Sequence, residues 1–438
     1  MINFRNTILL LFLSCLIASC KIDQVFAPKG PYEKYLASLK ANDLEQTALA
    51  QDWITAGESA LKDSTYANLP YAELSRFDPA EPTALFLRYK VKEGQNIEIH
   101  LKRISESNTR IFVNVFEWRD EEFKPLGQEA DGDSLTYKVE NSGEHAVRIQ
   151  PELLRGGLFQ IYIRYTASLA FPLPERTYEN IGSFYGDGRE AGRRKHEGID
   201  IFSPRGTPVL AVRPGFIRRV GVNNLGGKVI FLSGGGYSYY YAHLDSQMVH
   251  TGQRVVTGDT LGLVGNTGNA ITTSPHLHFG IYSMGSGALD PFPFFATTPI
   301  TNIIPLGDSA SLGKYHRVNS QIVNLRSEAN TQSEILGKLN KNELVRVEAS
   351  LLGWYRVKLP DDRAAFIHQN LVKEVGSGLQ IISLKADDQI KDEFLSSRTY
   401  SASFVEETAK VLGSYQDYLA IRFSGGTIAW LRNTDKKL

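Results

Sequence analysis

The chain has 438 residues, enough for about two to four domains that each bury a core. Its 48 lysines and arginines balance its 48 aspartates and glutamates, so no overall charge argues for nucleic acid; an anionic partner must be met by a local patch. An aromatic share of 11% and a hydrophobic share of 42% exclude a disordered chain.

The N-terminus, MINFRNTILLLFLSCLIASCKIDQ, reads as a targeting segment, with Arg5 as its positive start and Ile8 to Ile17 as its apolar run. That run is too short for a spanning helix, which needs roughly 20 apolar residues. It ends in Ile17-Ala18-Ser19-Cys20, which resembles a bacterial lipobox. The resemblance implies that residues 1–20 form a lipoprotein signal segment with cleavage before Cys20, whose thiol then carries a lipid. Cys15 leaves with the signal, and the mature chain keeps no free cysteine and no disulfide. Lys21 is not the aspartate that retains some lipoproteins at the inner membrane, so the expected place is the outer membrane of a diderm envelope. The alternative is an ordinary secretory signal with an incidental cysteine.

Residues 21–75 read as a tether followed by a helical segment. Tyr32, Leu36 and Leu39 mark one stripe, and Asp43 is the expected N-cap of a second helix running to Lys62. From about residue 76 the period changes to two. NIEIHLK (96–102) alternates, and RIFVNVFEW (110–118), YKVENSGEHAVRIQP (137–151) and LFQIYIRY (158–165) continue the pattern, which predicts a β-sandwich over 76–168. It resembles the small jelly-roll modules found beside secreted bacterial peptidases. His100 and His145 are expected to be structural or exposed.

FPLPERTYENIGSF (171–184) is a Pro-marked crossing into a second β-rich region, 172–297, followed by the linker TTPITNIIPLGDSASLG. The C-terminal part contains a repeat: WYRVKLPDDRAAFI (354–367) and YLAIRFSGGTIAWL (418–431) align without a gap, each as strand, tight turn and strand. VNLRSEANTQSEILGKLNKNELVRV (323–347) resembles the opening of bacterial Src-homology-3-like barrels. Two such modules follow, at 312–375 and, more divergent, at 376–438. Barrels of this kind bind cell-wall peptide or hold an enzyme in place.

Four of the nine histidines fall with Asp200 in KHEGIDIF (195–202), YYYAHLD (239–245) and SPHLHFGIY (274–282). In an extended strand the side chains repeat every two residues. His196 and Asp200 then share a face if Gly198 does not bulge, as do His276 and His278, with Leu277 on the other side. Tyr237, Tyr239, Tyr241 and His243 are expected on one side of their strand. A catalytic zinc takes three protein ligands and leaves its fourth position to water. Five groups are present, two more than that, and the surplus pair suits acid–base work. Spacing alone does not say which two.

H-x-x-x-D, then Y-A-H-L, then H-L-H-F, in this order from about Gly186 to Phe295, resemble the lysostaphin-type (LytM-like) zinc endopeptidases of cell-wall metabolism. The resemblance implies zinc as cofactor, held by His196, Asp200 and His278, with His243 and His276 as the catalytic pair. It implies a central antiparallel β-sheet zinc peptidase domain, which together with the patterns on either side makes the expected chain mainly β: an N-terminal helical segment and β-sandwich, that domain, and two small C-terminal Src-homology-3-like barrels. The implied partner is peptidoglycan, cut in its crosslinks or stem peptides, with the membrane reached through the lipid anchor, no nucleic acid, and any envelope protein partners unidentified.

Arg189, Arg193 and Arg194 in GREAGRRK (188–195) form a basic stretch before the first implied ligand, either a rim for stem-peptide carboxylates or a solvated loop. Some relatives place an oxyanion-donating tyrosine there; here Tyr185 is the nearest. GNTGNA (265–270) reads as a turn feeding the last strand, and His250, His316 and His368 as surface residues. Two other classes compete: a non-catalytic or latent regulator of a separate cell-wall amidase, with the same fold, and a wall-binding adhesin with a vestigial peptidase. Relatives of the first kind lose ligand or catalytic histidines, whereas this chain keeps all five groups.

Overall fold

The computed structural model describes residues 29–104, 109–189, 192–283, 285, 287–298, 307–376, 378–401 and 408–433. The signal segment, Cys20 and most of the tether lie outside the described residues, as does most of the linker after residue 298.

Two helices come first, α1 (Pro31–Ala41) and α2 (Ala48–Ser59). Thr47, not Asp43, caps α2 by accepting from Ala50 N; Asp43 has φ +58° and sits in the turn that ends α1. Aspartate tolerates the left-handed region, so a residue type that suits a cap here serves a turn. The helices dock through Trp53, whose indole N–H donates to Pro151 O at 2.7 Å and whose ring stacks on Tyr32.

The sandwich uses β1 (Tyr71–Phe77), β2 (Leu85–Val91), β3 (Asn96–Arg103), β4 (Ile111–Arg119), β5 (Glu122–Ala130), β6 (Ser134–Lys138), β7 (Gly143–Pro151) and β8 (Gly157–Thr166). Its sheets run β2-β7-β4-β5 and β1-β8-β3-β6, closing over Leu87, Ile99, Val113, Val147 and Ile161. The first strand begins at Tyr71, ahead of residue 76. It is buried on both faces except at Arg76, so it lacks the alternation that reveals half-buried strands. His145 is buried, hydrogen-bonded to the Tyr137 hydroxyl at 2.9 Å, and His100 is exposed.

The central unit comprises β9 (Ile181–Ser183), β10 (Gly188–Arg189), β11 (Arg194–Lys195), β12 (Ile199–Phe202), β13 (Pro208–Leu210), β14 (Gly215–Asn223), β15 (Gly227–Gly234), β16 (Tyr237–Gln247), β17 (Arg254–Val255), β18 (Thr260–Val264), β19 (His276–Ser283) and β20 (Gly287–Leu289). The main path is β17-β14-β15-β16-β19-β12-β9, antiparallel throughout, while β10 and β11 form a separate ribbon. One face packs on Ile201, Ile217, Tyr239, Tyr241, Leu277 and Phe279. The other is open and carries the site. The sandwich meets this unit where Tyr237 donates to Glu93 and Phe294 closes on Gly94.

The C-terminal repeat extends beyond the matching hairpins. In the first barrel β21 (Tyr315–Val318), β22 (Ile322–Arg326), β23 (Ile335–Asn340), β24 (Leu344–Leu351), β25 (Trp354–Lys358), β26 (Ala364–His368) and β27 (Val372–Glu374) follow in order. In the second, β28 (Gln380–Ser383), β29 (Gln389–Lys391), β30 (Tyr400–Ser401), β31 (Thr408–Tyr415), β32 (Tyr418–Arg422) and β33 (Ile428–Arg432) repeat the strand order. A bulge after Val347 recurs after Val411, and Asp362 and Gly426 both turn with positive φ. His250 is exposed and His368 half-buried beside Trp354, but His316 is buried against Tyr355 and not on the surface. Strand β1 also pairs with β24 at Leu74↔Ser350 and Ser75↔Ala349, so sandwich and barrel share one sheet.

Candidate metal centre and groove

Strands β12 and β19 pair with Asp200 opposite His278 and Phe202 opposite His276, which sets three polar side chains in one patch while Ile201 and Leu277 face the core. His196 does not continue β12. It follows β11 and is held by two backbone hydrogen bonds, His196 N to Asp187 O and Gly186 N to His196 O. The chain then passes Glu197 and Gly198 before β12 begins.

His196 Nδ1 donates to Phe184 O at 2.8 Å, so its Nε2 presents a lone pair. That Nε2 lies 3.1 Å from Asp200 Oδ1 and 3.0 Å from His278 Nδ1, and the last two are 3.0 Å apart. The three atoms form a nearly equilateral triangle. A tetrahedral ion with bonds of about 2.0–2.1 Å separates its ligand atoms by about 3.3 Å, so the triangle needs only a slight opening to hold zinc. Among the described residues this is the cluster of three with metal-ligand geometry. Burial works to raise the Asp200 pKa, but the His196 and His278 imidazoles held against its carboxyl outweigh it and keep it well below the usual range. Burial lowers the His278 pKa. Both shifts favour the unprotonated, ligating forms.

Arg189 donates to Asp200 Oδ2 at 2.6 Å and to Ser183 Oγ at 2.7 Å, so its guanidinium is committed to the carboxylate. Arg194 lines the groove at its rim and Arg193 is exposed on the same ribbon. Tyr185 turns away, its hydroxyl donating to Ala288 O at 2.9 Å.

His243 reaches the site by breaking its strand. Tyr239 and Tyr241 are core residues, and strict alternation would bury His243 with them. Instead β16 shifts register against β15 between Ile230 and Lys228, and His243 takes φ +60°. This turns its ring onto the Tyr240 side, 4.9 Å from the His276 ring and 5.8 Å from that of His278. A non-glycine residue in the left-handed region stores about 1–3 kcal/mol of strain, held here by the surrounding structure. The GNTGNA turn supplies part of that hold, because Thr267 O accepts from His243 Nδ1 at 2.9 Å. His276 Nδ1 donates likewise to Ser274 O at 2.9 Å. Burial lowers the His243 pKa to about 4.

The five groups stand in an open groove of about 1510 Å³ whose lining runs from Gly182 to Ser283, and among the described residues none of the sandwich or barrels lines it. Sequence reasoning missed several of its walls. Tyr240, 5.8 Å from His278, hides in a run of tyrosines, and Arg218 and Arg219 lack any motif.

An antiparallel sheet with a His-Asp-His triad and two further histidines in an open groove defines a metallopeptidase-like site. Residues 194–291 match the family model for Peptidase family M23, and residues 323–373 match that for the bacterial SH3 domain. The chain carries both domains. Over 136 residues it is 39% identical to the L-Ala--D-Glu endopeptidase of Bacillus subtilis, covering 28% of this chain and 42% of that one. It is 36% identical over 87 residues to the peptidoglycan DD-endopeptidase ShyC of Vibrio cholerae, 20% of each chain. With lysostaphin of Staphylococcus simulans it shares 38% identity over 105 residues, 23% of this chain and 21% of that one. The chain thus spans less than half the length of these relatives.

Proposed function

We propose that this chain is a zinc-dependent endopeptidase that hydrolyses peptide bonds of peptidoglycan. The observation that carries the reading is the three-donor triangle with two further imidazoles beside it in one groove. The M23 domain and the endopeptidases among its relatives support it.

In this reading His196 Nε2, Asp200 Oδ1 and His278 Nδ1 hold the ion. When bound there, zinc supplies Lewis acidity, which acidifies a water and polarises a carbonyl. His243 and His276 each give their Nδ1–H to a backbone carbonyl, which leaves Nε2 to act in the groove. One takes the proton of the attacking water and passes it to the leaving amine; the other, protonated, donates to the charge developing on the carbonyl oxygen.

The setting is the cell envelope, with the signal segment directing export and Cys20 the lipid anchor to an outer membrane. Among the described residues no helix is long and apolar enough to cross a membrane. The modules flanking residues 172–297 then position the open groove on the wall.

Zinc-loaded full-length protein should release new amines from purified peptidoglycan, and mass spectrometry of the new termini identifies the bond. His243→Ala and His276→Ala should each lower the rate by about a hundredfold or more with zinc retained. A zinc-loaded protein that releases no amines would reverse the proposal in favour of a non-catalytic regulator.

A further inference from the structure

Strand β14 carries a bulge: Ile217 pairs with Leu232 and Arg219 with Phe231, which leaves Arg218 without a partner. In a regular strand two consecutive side chains point to opposite faces, and one arginine would enter the core. Here the extra residue keeps Ile217 and Val220 against the core while Arg218 and Arg219 both line the groove. Both are exposed, and among the described residues neither has a carboxylate within ion-pair distance. Two uncompensated guanidinium groups on one wall are a recognition feature for carboxylate, which arginine binds through paired, charge-assisted hydrogen bonds.

Their position relative to the triad is fixed by strand register. Arg219 lies opposite Phe231, Phe231 opposite Tyr240, and Tyr240 opposite Gly280, two residues beyond His278. Arg219 is therefore three strand spacings from β19, roughly 14 Å, the span of about four residues of extended peptide. The floor between is aromatic, with Phe231 and Tyr240 rings 4.7 Å apart. Glu197 lines the groove on the β12 side, where Arg194 lines it too and Arg189 is paired with Asp200, whereas among the described residues no carboxylate within ion-pair distance offsets Arg218 and Arg219.

We propose that Arg218 and Arg219 form a carboxylate subsite, selecting acidic peptides with a side-chain or terminal carboxylate a few residues from the cleaved bond. The inference rests on the endopeptidase reading for its substrate and adds the chemistry that chooses it.

The test uses the full chain loaded with zinc and two forms of one stem-peptide substrate, with carboxylates free or converted to amides. Wild type should show a kcat/KM about tenfold or more higher on the free form. In Arg218→Gln/Arg219→Gln that preference should collapse towards one through KM, and Arg219→Lys should keep part of it. Equal kcat/KM on the two forms in wild type, or a wild-type preference kept by the double variant, overturns the proposal. Direct binding of the two forms to the full chain carrying His276→Ala is measured alongside. If wild type proves inactive, binding still decides: a preference for the free form that the arginine substitutions abolish upholds the subsite, and its absence removes it.

Discussion

Arg189 donates to Asp200 Oδ2, while Asp200 Oδ1 faces His196 Nε2 and His278 Nδ1. One carboxylate thus divides its two oxygens between an orienting cation and the candidate metal position. A carboxylate held this way cannot rotate to offer both oxygens to one ion. Groups that orient a ligand typically contribute 10–100-fold in metal affinity. Arg189→Met should weaken zinc binding by about that factor, read by competition with a chromogenic chelator, with the fold intact by circular dichroism. Unchanged affinity would confine Arg189 to the groove rim.

Gly198 tests the same site from the other side. A Cβ there would lie 2.5 Å from Phe279 O and 2.8–2.9 Å from the His278 ring, contacts that real side chains do not make. Since Phe279 O belongs to a paired strand, the imidazole is the part able to move. Gly198→Ala should cost about 1–3 kcal/mol of stability by overpacking and displace a ligand of the triangle. The expected readout is substoichiometric zinc after dialysis at a temperature where the protein stays folded; full occupancy would show that the ring adapts.

These features mark the limit of sequence reading. His276, Leu277 and His278 obey a period of two, so their faces were legible, and the motif order pointed to the triad. His243 was assigned to the wrong face because positive φ and a register shift leave no trace in the spacing of YYYAH. Arg218 and Arg219 were invisible for a related reason, since a bulge is a pairing property and needs β15 in place. Asp43 and His316 were misread because turn or cap, and buried or exposed, depend on neighbours distant in sequence.

Another distant neighbour joins the sandwich to the first barrel. Arg356 Nε and Nη2 meet the two Glu73 oxygens at 3.0 and 3.1 Å, and Tyr71 and Ser75 donate to the same carboxylate. Both side chains are nearly or fully buried. Arg356 also donates to Glu348 Oε2 at 2.9 Å, so removing Glu73 leaves the guanidinium one carboxylate. The loss should then be less than the roughly 3–5 kcal/mol of a fully broken buried pair, and apolar replacement of both Glu73 and Arg356 recovers part of it. Glu73→Ala should therefore lower the urea midpoint clearly and expose the β1–β24 junction to protease. Adding Arg356→Met should restore part of the midpoint; additive losses would mean that the pair is not a coupled unit.

His145 gives a pH signature that lies away from the metal centre. Burial lowers its pKa from 6.5 to about 4, and its Nδ1 meets the Tyr137 hydroxyl, which in turn meets Tyr89. The folded state then binds fewer protons than the unfolded one between those two values, so stability rises with pH across that window. The contribution is fully present above about pH 6.5 and is lost as pH falls towards 4. A gap of about 2.5 pH units bounds it at roughly 3 kcal/mol. Burial also lowers His243, His278 and His316, so the wild-type curve sums several groups. His145→Asn retains a polar partner for Tyr137 and removes one titrating group. Its stability difference from wild type, measured by urea denaturation at pH 7.5 and pH 4.5, should shift in favour of the variant at the lower pH by up to about 3 kcal/mol. A difference that does not change with pH would mean that His145 titrates alike in the folded and unfolded chain.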